Sequence, residues 1–317
     1  MIKVGIAGIG FMGMTHYRAY GKNRGVKVAA LCETDEKRLA GDWRSIQGNF
    51  GPRGEMMDLS GISLYRELED LFADPALDLI DICLPPSFHA KAAVKALEAG
   101  KHVFCEKPIA LRAEDADKMV LAAKGARKML MIGQVLPFFP EYDFAYKAIA
   151  GGKYGRVLGG HFKRIISDPL WMHGYYDPSS HGGPMIDLHV HDAHFIRLVF
   201  GMPRAVQSVG SMRGKVAERF TTQFLFGDPR LAVTATSGVI GQQGRPFTHA
   251  YEIYLEKATL IYDAANLGGE WVVGYPVTLL SPDGKLVRPK FASGDPTDAF
   301  IAEVGEVLRA VRTGVPS

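Results

Sequence analysis

The chain has no apolar run approaching the ~20 residues that span a bilayer, so no membrane segment is expected. Cysteine is scarce: Cys32, Cys83 and Cys105 are the only three in 317 residues. They form no CxxC, and each ends or follows an apolar run, which points to reduced thiols in a cytosolic core. An excess of either charge is also missing. Lys and Arg number 37 against 34 Asp and Glu, a net +3, with both signs interleaved in "DEKR" and "AEDADK". So balanced a surface argues against nucleic acid as a partner. The opening "MIKVGIAGIG" enters a strand-like run at once, with no basic leader or cleavage site, so a cytoplasmic location is expected. Repeats and low-complexity segments are lacking as well.

The composition, 47% hydrophobic and 22% charged, is that of a globular chain, and its length suits two domains. In the first third, β-branched runs at "IKVGIAGI", "VKVAALCE", "LDLIDICLPP", "KHVFCEKP" and "KMLMIGQV" alternate with helical stretches. Strands that are apolar throughout and separated by helices imply a parallel sheet covered on both faces. The expectation is an α/β chain with a Rossmann, doubly wound domain over residues 1–135. From about 155 onward, alternating stretches with turns at Asp228-Pro229 and Asp283-Gly284 favour an antiparallel sheet. Residues 136–317, including the amphipathic "AFIAEVGEVLRAVRTG", are therefore expected to form an α+β domain.

Gly8, Gly10 and Gly13 form G-x-G-x-x-G where the first strand meets the first helix. Such glycines permit a tight turn, close approach of backbone to a pyrophosphate, and close helix packing, with the phosphates at the helix N-terminus. Phe11 and Met12 lie inside this loop. Glu33 ends the second strand twenty residues after Gly13, where a carboxylate takes the ribose hydroxyls of an adenosine. The same charge repels a 2′-phosphate, so NAD is favoured over NADP, although Lys37 and Arg38 nearby pull the other way.

At "GIAGIGFMG", "DICLPPSFH" and "CEKP" the chain resembles the Gfo/Idh/MocA family of NAD(P)-dependent sugar and inositol oxidoreductases. The E-K-P motif is matched by Glu106, Lys107 and Pro108. A second signature is approximated by Gly182, Gly183, Pro184, Asp187 and His191, with His189 where the family usually has a small residue. The resemblance implies Lys107, Asp187 and His191 as catalytic residues, and Leu84, Pro85, His89, Glu106 and Lys107 near the nicotinamide half of the cofactor. It also implies a homodimer or homotetramer built on the open face of the second-domain sheet.

The stretch "GGPMIDLHVHDAH" (182–194) holds three imidazoles and two carboxylates. Pro184 suits a first helical turn, and on a continuous helix Asp187, His191 and His194 share one face while His189 points away. The HxH pair is thereby split. A metal held by Asp187, His191 and His194, a packed helix with no chemistry, and a proton-transfer site all remain open by spacing alone; the E-K-P match favours the third. Oxidising a carbinol by hydride transfer requires a base for the hydroxyl proton, which the cofactor lacks. His191 suits that role near ~6.5, with Asp187 orienting it. An ordinary lysine, at ~10.4, serves as base only when its surroundings lower that value; otherwise Lys107 stabilises the oxygen and relays the proton. Arg164, Trp171, His173, Tyr175, Tyr176 and His181 offer the aromatic faces and hydroxyl-binding groups of a carbohydrate site; of these Arg164, Trp171 and His181 are taken, with the catalytic three, as substrate contacts. The function expected is oxidation of a sugar, inositol or related polyol. An NAD-retaining hydrolase or lyase using transient oxidation, and a non-catalytic NAD and sugar sensor, are the alternatives.

Overall fold

The computed structural model describes residues 1–48, 50–291 and 295–316. Its first strand, β1 (Ile2–Ala7), is buried at every position except Lys3, as its β-branched sequence requires of a strand covered on both faces. The strands that follow are β2 (Val26–Cys32), β3 (Ser63–Tyr65), β4 (Leu79–Ile82), β5 (His102–Glu106) and β6 (Leu130–Gly133). Helices α1 (Phe11–Lys22), α2 (Glu36–Leu39), α3 (Leu68–Ala73), α4 (Pro86–Glu98) and α5 (Ala113–Ala126) fill the crossovers. The six strands form one parallel sheet in the order β3-β2-β1-β4-β5-β6.

Chain direction along that sheet reverses between β1 and β4, which pair with Ile6 opposite Asp81. Open α/β sheets bind ligands at such a switch point, beyond the carboxyl ends of the strands. Ile80, Ile82, Val103 and Leu97 are wholly buried in the core beneath it, and each contributes about 1.5–3 kcal/mol by burial. Pro86 opens α4 at its first turn and Gly100, at positive φ, lies just past its end. The short edge strand β3 was not anticipated; three residues, none fully buried, leave no periodic signal.

The second unit begins with α6 (Pro140–Ala150) and β7 (Val157–Ser167), then α7 (Gly183–Asp187) and α8 (His189–Phe200). Six long strands follow: β8 (Ala205–Arg213), β9 (Val216–Leu225), β10 (Ala232–Ile240), β11 (Phe247–Leu255), β12 (Ala258–Leu267) and β13 (Glu270–Leu280), with the short β14 (Leu286–Val287) after them. The sheet order is β14-β13-β12-β11-β7-β10-β9-β8, antiparallel at every step except β7 with β10. Asp228-Pro229 and Asp283-Gly284 fall in the connections they were expected to turn. Along β12, Leu260, Tyr262 and Ala264 alternate into a core shared with Tyr142, Phe195 and Ile196 from α6 and α8.

The last helix, α9 (Thr297–Thr313), corrects the expected domain boundary. Residues 295–317 belong with residues 1–135 in one compact unit, and residues 136–294 make the other. The apolar stripe Phe300, Val304, Val307 and Leu308 is buried, α9 packs on α1, and the Asn23 amide donates to Ile301 O at 3.1 Å. An amphipathic pattern announces that a stripe will be covered and says nothing of which element covers it. No helix among the described residues is long and apolar enough to cross a membrane.

Candidate cofactor and catalytic site

Each glycine of the loop after β1 has a separate reason to be there. Gly8 takes φ +92°, and a Cβ on it would stand 2.8 Å from Cys83 O. A Cβ on Gly13 would lie 2.1 Å from Gly8 O, so only glycine lets α1 sit this close to the loop. Gly10 differs. Among the described residues nothing lies within 4 Å of a Cβ there, so glycine at this position leaves the approach to the helix end clear. Gly10 is also the N-cap of α1 and supplies no side-chain cap, which leaves the amides of Phe11, Met12 and Gly13 without intrahelical acceptors. Such a cradle fits a pyrophosphate. The Phe11 ring is turned aside, edge-on to Phe50 at 4.7 Å, so Phe11 offers the loop its backbone rather than its side chain.

Glu33 stands at the end of β2. Its Oε2 accepts from Ile9 N at 2.8 Å, and its Oε1 from Thr34 N and Asp35 N at 2.7 and 3.0 Å. The carboxylate is fixed against the glycine loop, and Oε2 retains a lone pair for a hydroxyl donor. Arg38 reaches Ile9 O at 3.4 Å, while Lys37 lines a separate surface depression with Asp42, Arg44 and Arg53.

Leu84 and Pro85 follow β4, and Lys107, half-buried, follows β5; all three are at the carboxyl edge of the parallel sheet. Two neighbours expected beside the nicotinamide have other work. His89 is 1% exposed, and its ring nitrogens meet Pro108 O at 2.7 Å and Leu84 O at 2.8 Å. It fastens together the two segments that leave β4 and β5, with no nitrogen left for a cofactor. Glu106, almost fully buried, accepts from Lys107 N at 2.9 Å through Oε2 and sets Oε1 3.2 Å from His16 Nε2.

His16, on α1, is a residue sequence reasoning passed over. Its Nδ1 lies 2.9 Å from Asp81 Oδ2 and 3.4 Å from Cys83 Sγ. Burial opposes a charged ring here, but Asp81 and Cys83 outweigh it and hold the imidazole pKa well above the ordinary value. These three side chains are close enough to invite a metal. Nitrogen and oxygen ligands on a tetrahedral ion with bonds of ~2.0–2.1 Å stand about 3.3 Å apart, whereas 2.9 Å is a direct hydrogen bond. The signal for His16 lay in Asp81, a carboxylate inside the apolar strand "LIDIC" that needs a buried partner.

In the second unit, the expected continuous helix is interrupted at Leu188. Asp187 ends α7, and His191 N bonds back to Leu188 O at 3.3 Å, a tighter i−3 link. Among the described residues, Asp187, His191 and His194 do not form a group at metal-ligand spacing. His189 does leave the face of the others: it is buried, bonds Ser237 Oγ at 2.9 Å, and stacks on Phe224. Asp187 lies near the buried Tyr175 hydroxyl, whose pKa burial and the Asp187 charge push upward. Tyr175 is therefore a protonated donor available to orient that carboxylate.

Arg164 is a correction. Its Nε and Nη2 grip Asp192 at 2.9 and 3.0 Å, and the residue is 3% exposed, so the guanidinium holds α8 to β7 and is closed to a substrate. The pairing with Asp192 leaves no local signal, since Arg164 and Asp192 lie 28 residues apart. His181 Nδ1 bonds Ser180 Oγ at 2.9 Å. Trp171 is 65% exposed, presenting its indole to solvent.

Comparison with known proteins agrees with this geometry. The pattern of the Gfo/Idh/MocA "Oxidoreductase family, NAD-binding Rossmann fold" matches residues 2–134, and that of the Gfo/Idh/MocA C-terminal domain matches residues 142–261. The chain belongs to the Gfo/Idh/MocA oxidoreductase family. The 1,5-anhydro-D-fructose reductase of Ensifer adhaerens is 29% identical over 229 residues, 70% of this chain and 67% of that one. An inositol 2-dehydrogenase of Corynebacterium glutamicum is 30% identical over 159 residues, 50% of this chain and 43% of its own. Levoglucosan dehydrogenase, solved with NADH and levoglucosan, superposes with a TM-score of 0.79 at 22% identity, covering 100% of this chain and 91% of that one. As a Gfo/Idh/MocA oxidoreductase, this enzyme carries the family's NAD-binding Rossmann fold over residues 2–134, the stretch that includes the glycine loop.

Proposed function

We propose that this oxidoreductase is a dehydrogenase of sugars, inositols or related polyols, with Lys107, Asp187 and His191 handling the hydroxyl proton. The observation that carries the reading is the glycine cradle, where Gly10 is bare toward solvent while Gly8 and Gly13 are bare toward protein. At the N-terminus of α1 an open backbone of this kind suits a pyrophosphate. When bound, the nicotinamide accepts or returns the hydride. The chain's own residues supply what the cofactor lacks: His191 removes or returns the hydroxyl proton, Lys107 donates to the oxygen as its charge grows, and Asp187 orients the ring. The reductase, inositol dehydrogenase and levoglucosan dehydrogenase named above support cyclic polyhydroxylated substrates.

Glu33 supports NAD over NADP, because a carboxylate at the end of β2 repels a 2′-phosphate. Glu33→Ala is expected to shift the NAD:NADP ratio of kcat/KM toward NADP; an unchanged ratio removes Glu33 from cofactor selection. The three unpaired cysteines suit a reducing cytoplasm. Val206, Val209 and Met212 on β8, with Trp271 and Tyr275 on β13, leave apolar surface exposed, which supports assembly into a homodimer or homotetramer.

The test is a panel of sugars, anhydrosugars and inositols incubated with NAD+ and the purified chain. A substrate-dependent rise in NADH absorbance is the expected result. Product without net NADH assigns the transient-oxidation chemistry instead, and binding without turnover assigns a sensor.

A further inference from the structure

Three groups from three elements converge beneath Lys107: His16 from α1, Asp81 from β4 and Glu106 from the end of β5. None is open to solvent. His16 Nδ1 meets Asp81 Oδ2 at 2.9 Å, and Nε2 faces Glu106 Oε1 at 3.2 Å as an ion-pair contact off the axis of a hydrogen bond. The ring is held flat against Phe104 of β5, stacked at 5.1 Å and 13°. On the far side Gly133 ends β6, where a Cβ would come within 3.1 Å of Glu106 Oε1, so a bare position makes room for the carboxylate.

The remaining oxygen of Glu106 accepts the Lys107 amide at 2.9 Å. One residue beyond, Pro108 O is held by His89 at 2.7 Å. The backbone is thus pinned on both sides of Lys107. A lysine side chain has four rotatable bonds and considerable freedom, so where its backbone leaves the strand decides which volume its ammonium can sweep.

We propose that His16 is a positioning residue for Lys107: fixed by Asp81, it anchors the Glu106 carboxylate, which in turn sets the backbone from which Lys107 projects. Asp81 and Cys83 hold the pKa of the ring up against burial, and its other nitrogen faces Glu106. The inference rests on the catalytic reading of Lys107 given above. It adds a residue that touches neither substrate nor reacting atoms.

The experiment compares His16→Gln, Lys107→Ala and the double variant in kcat, KM and NADH affinity, the last by fluorescence titration. Because His16→Gln strands the buried Asp81 carboxylate, His16→Gln/Asp81→Asn is made alongside, and thermal melts establish that each variant is folded. The expected result is a fall in kcat of about 10²-fold, the scale of a misplaced catalytic group, in a folded His16 variant whose NADH affinity is unchanged. In the Lys107→Ala background the His16 substitution is expected to cause no further loss. A purely structural role predicts the same proportional loss in both backgrounds and overturns the proposal, as does a folded variant with full kcat. If Lys107→Ala itself retains full kcat, the catalytic reading of Lys107 fails first, and the proposal with it.

Discussion

At the scale of single residues, the glycine loop makes the sharpest distinction, because one missing side chain faces open space and another makes room for the fold. Gly10→Ala places a methyl where no described residue comes within 4 Å. The variant should melt with the wild type yet bind NADH at least about tenfold more weakly, or ~1.4 kcal/mol. Gly13→Ala drives a methyl to 2.1 Å from Gly8 O and should cost ~1–3 kcal/mol of stability, the scale of overpacking. Titration calorimetry and thermal melts on the pair check both halves; equal melting losses would contradict the separation of roles. Arg164 teaches the opposite lesson. A cation drawn from sequence as a substrate contact turns out to be gripped by Asp192, and removing one partner strands the other. Asp192→Asn should therefore cost ~3–5 kcal/mol, read by denaturant unfolding, a loss far beyond what a solvent-facing binding residue produces.

At the scale of elements, α9 carries a buried carboxyl within its apolar stripe. Burial holds the Glu303 pKa well above the ordinary glutamate value, and the Glu106 charge adds to the shift. Below ~4.3 the group is protonated folded and unfolded alike and costs nothing. As pH rises from there toward the raised folded value, only the unfolded chain gains by ionising, so stability is lost. Glu303→Gln should match the wild type in melting temperature at acid pH and exceed it increasingly toward neutrality; a pH-independent difference would show that Glu303 ionises normally in the fold. The existence of α1, α4, α5 and α9, and of β1, β2 and β4, was legible because each has a clear period, cap or apolar run. The break at Leu188 was not, since the ladder merely tightens to an i−3 bond there with no proline or glycine to announce it. His16 and Asp81 lie 65 residues apart, and pairing at that separation leaves no trace in local periodicity.

At the scale of the whole chain, two compact units were legible in the change from all-apolar to alternating strands, while the return of residues 295–317 to the first unit was not. The cradle, Glu33 and the E-K-P segment were legible from local sequence alone, and the structure puts all three at the carboxyl edge of one sheet. Within that group Glu106 and His89 support Lys107 from behind, a division of labour visible only through Oε2, Oε1 and two ring nitrogens. The central claim is that a nicotinamide cofactor with its pyrophosphate at Gly10 is served by a proton-handling lysine at the end of β5. It is tested most directly by the steady-state rate of NADH formation with wild-type and Lys107→Ala enzyme on the best substrate of the panel. The expected result is a loss of about 10²–10⁴-fold in kcat with NADH affinity retained. A loss of tenfold or less, with the variant folded and saturated, would contradict it.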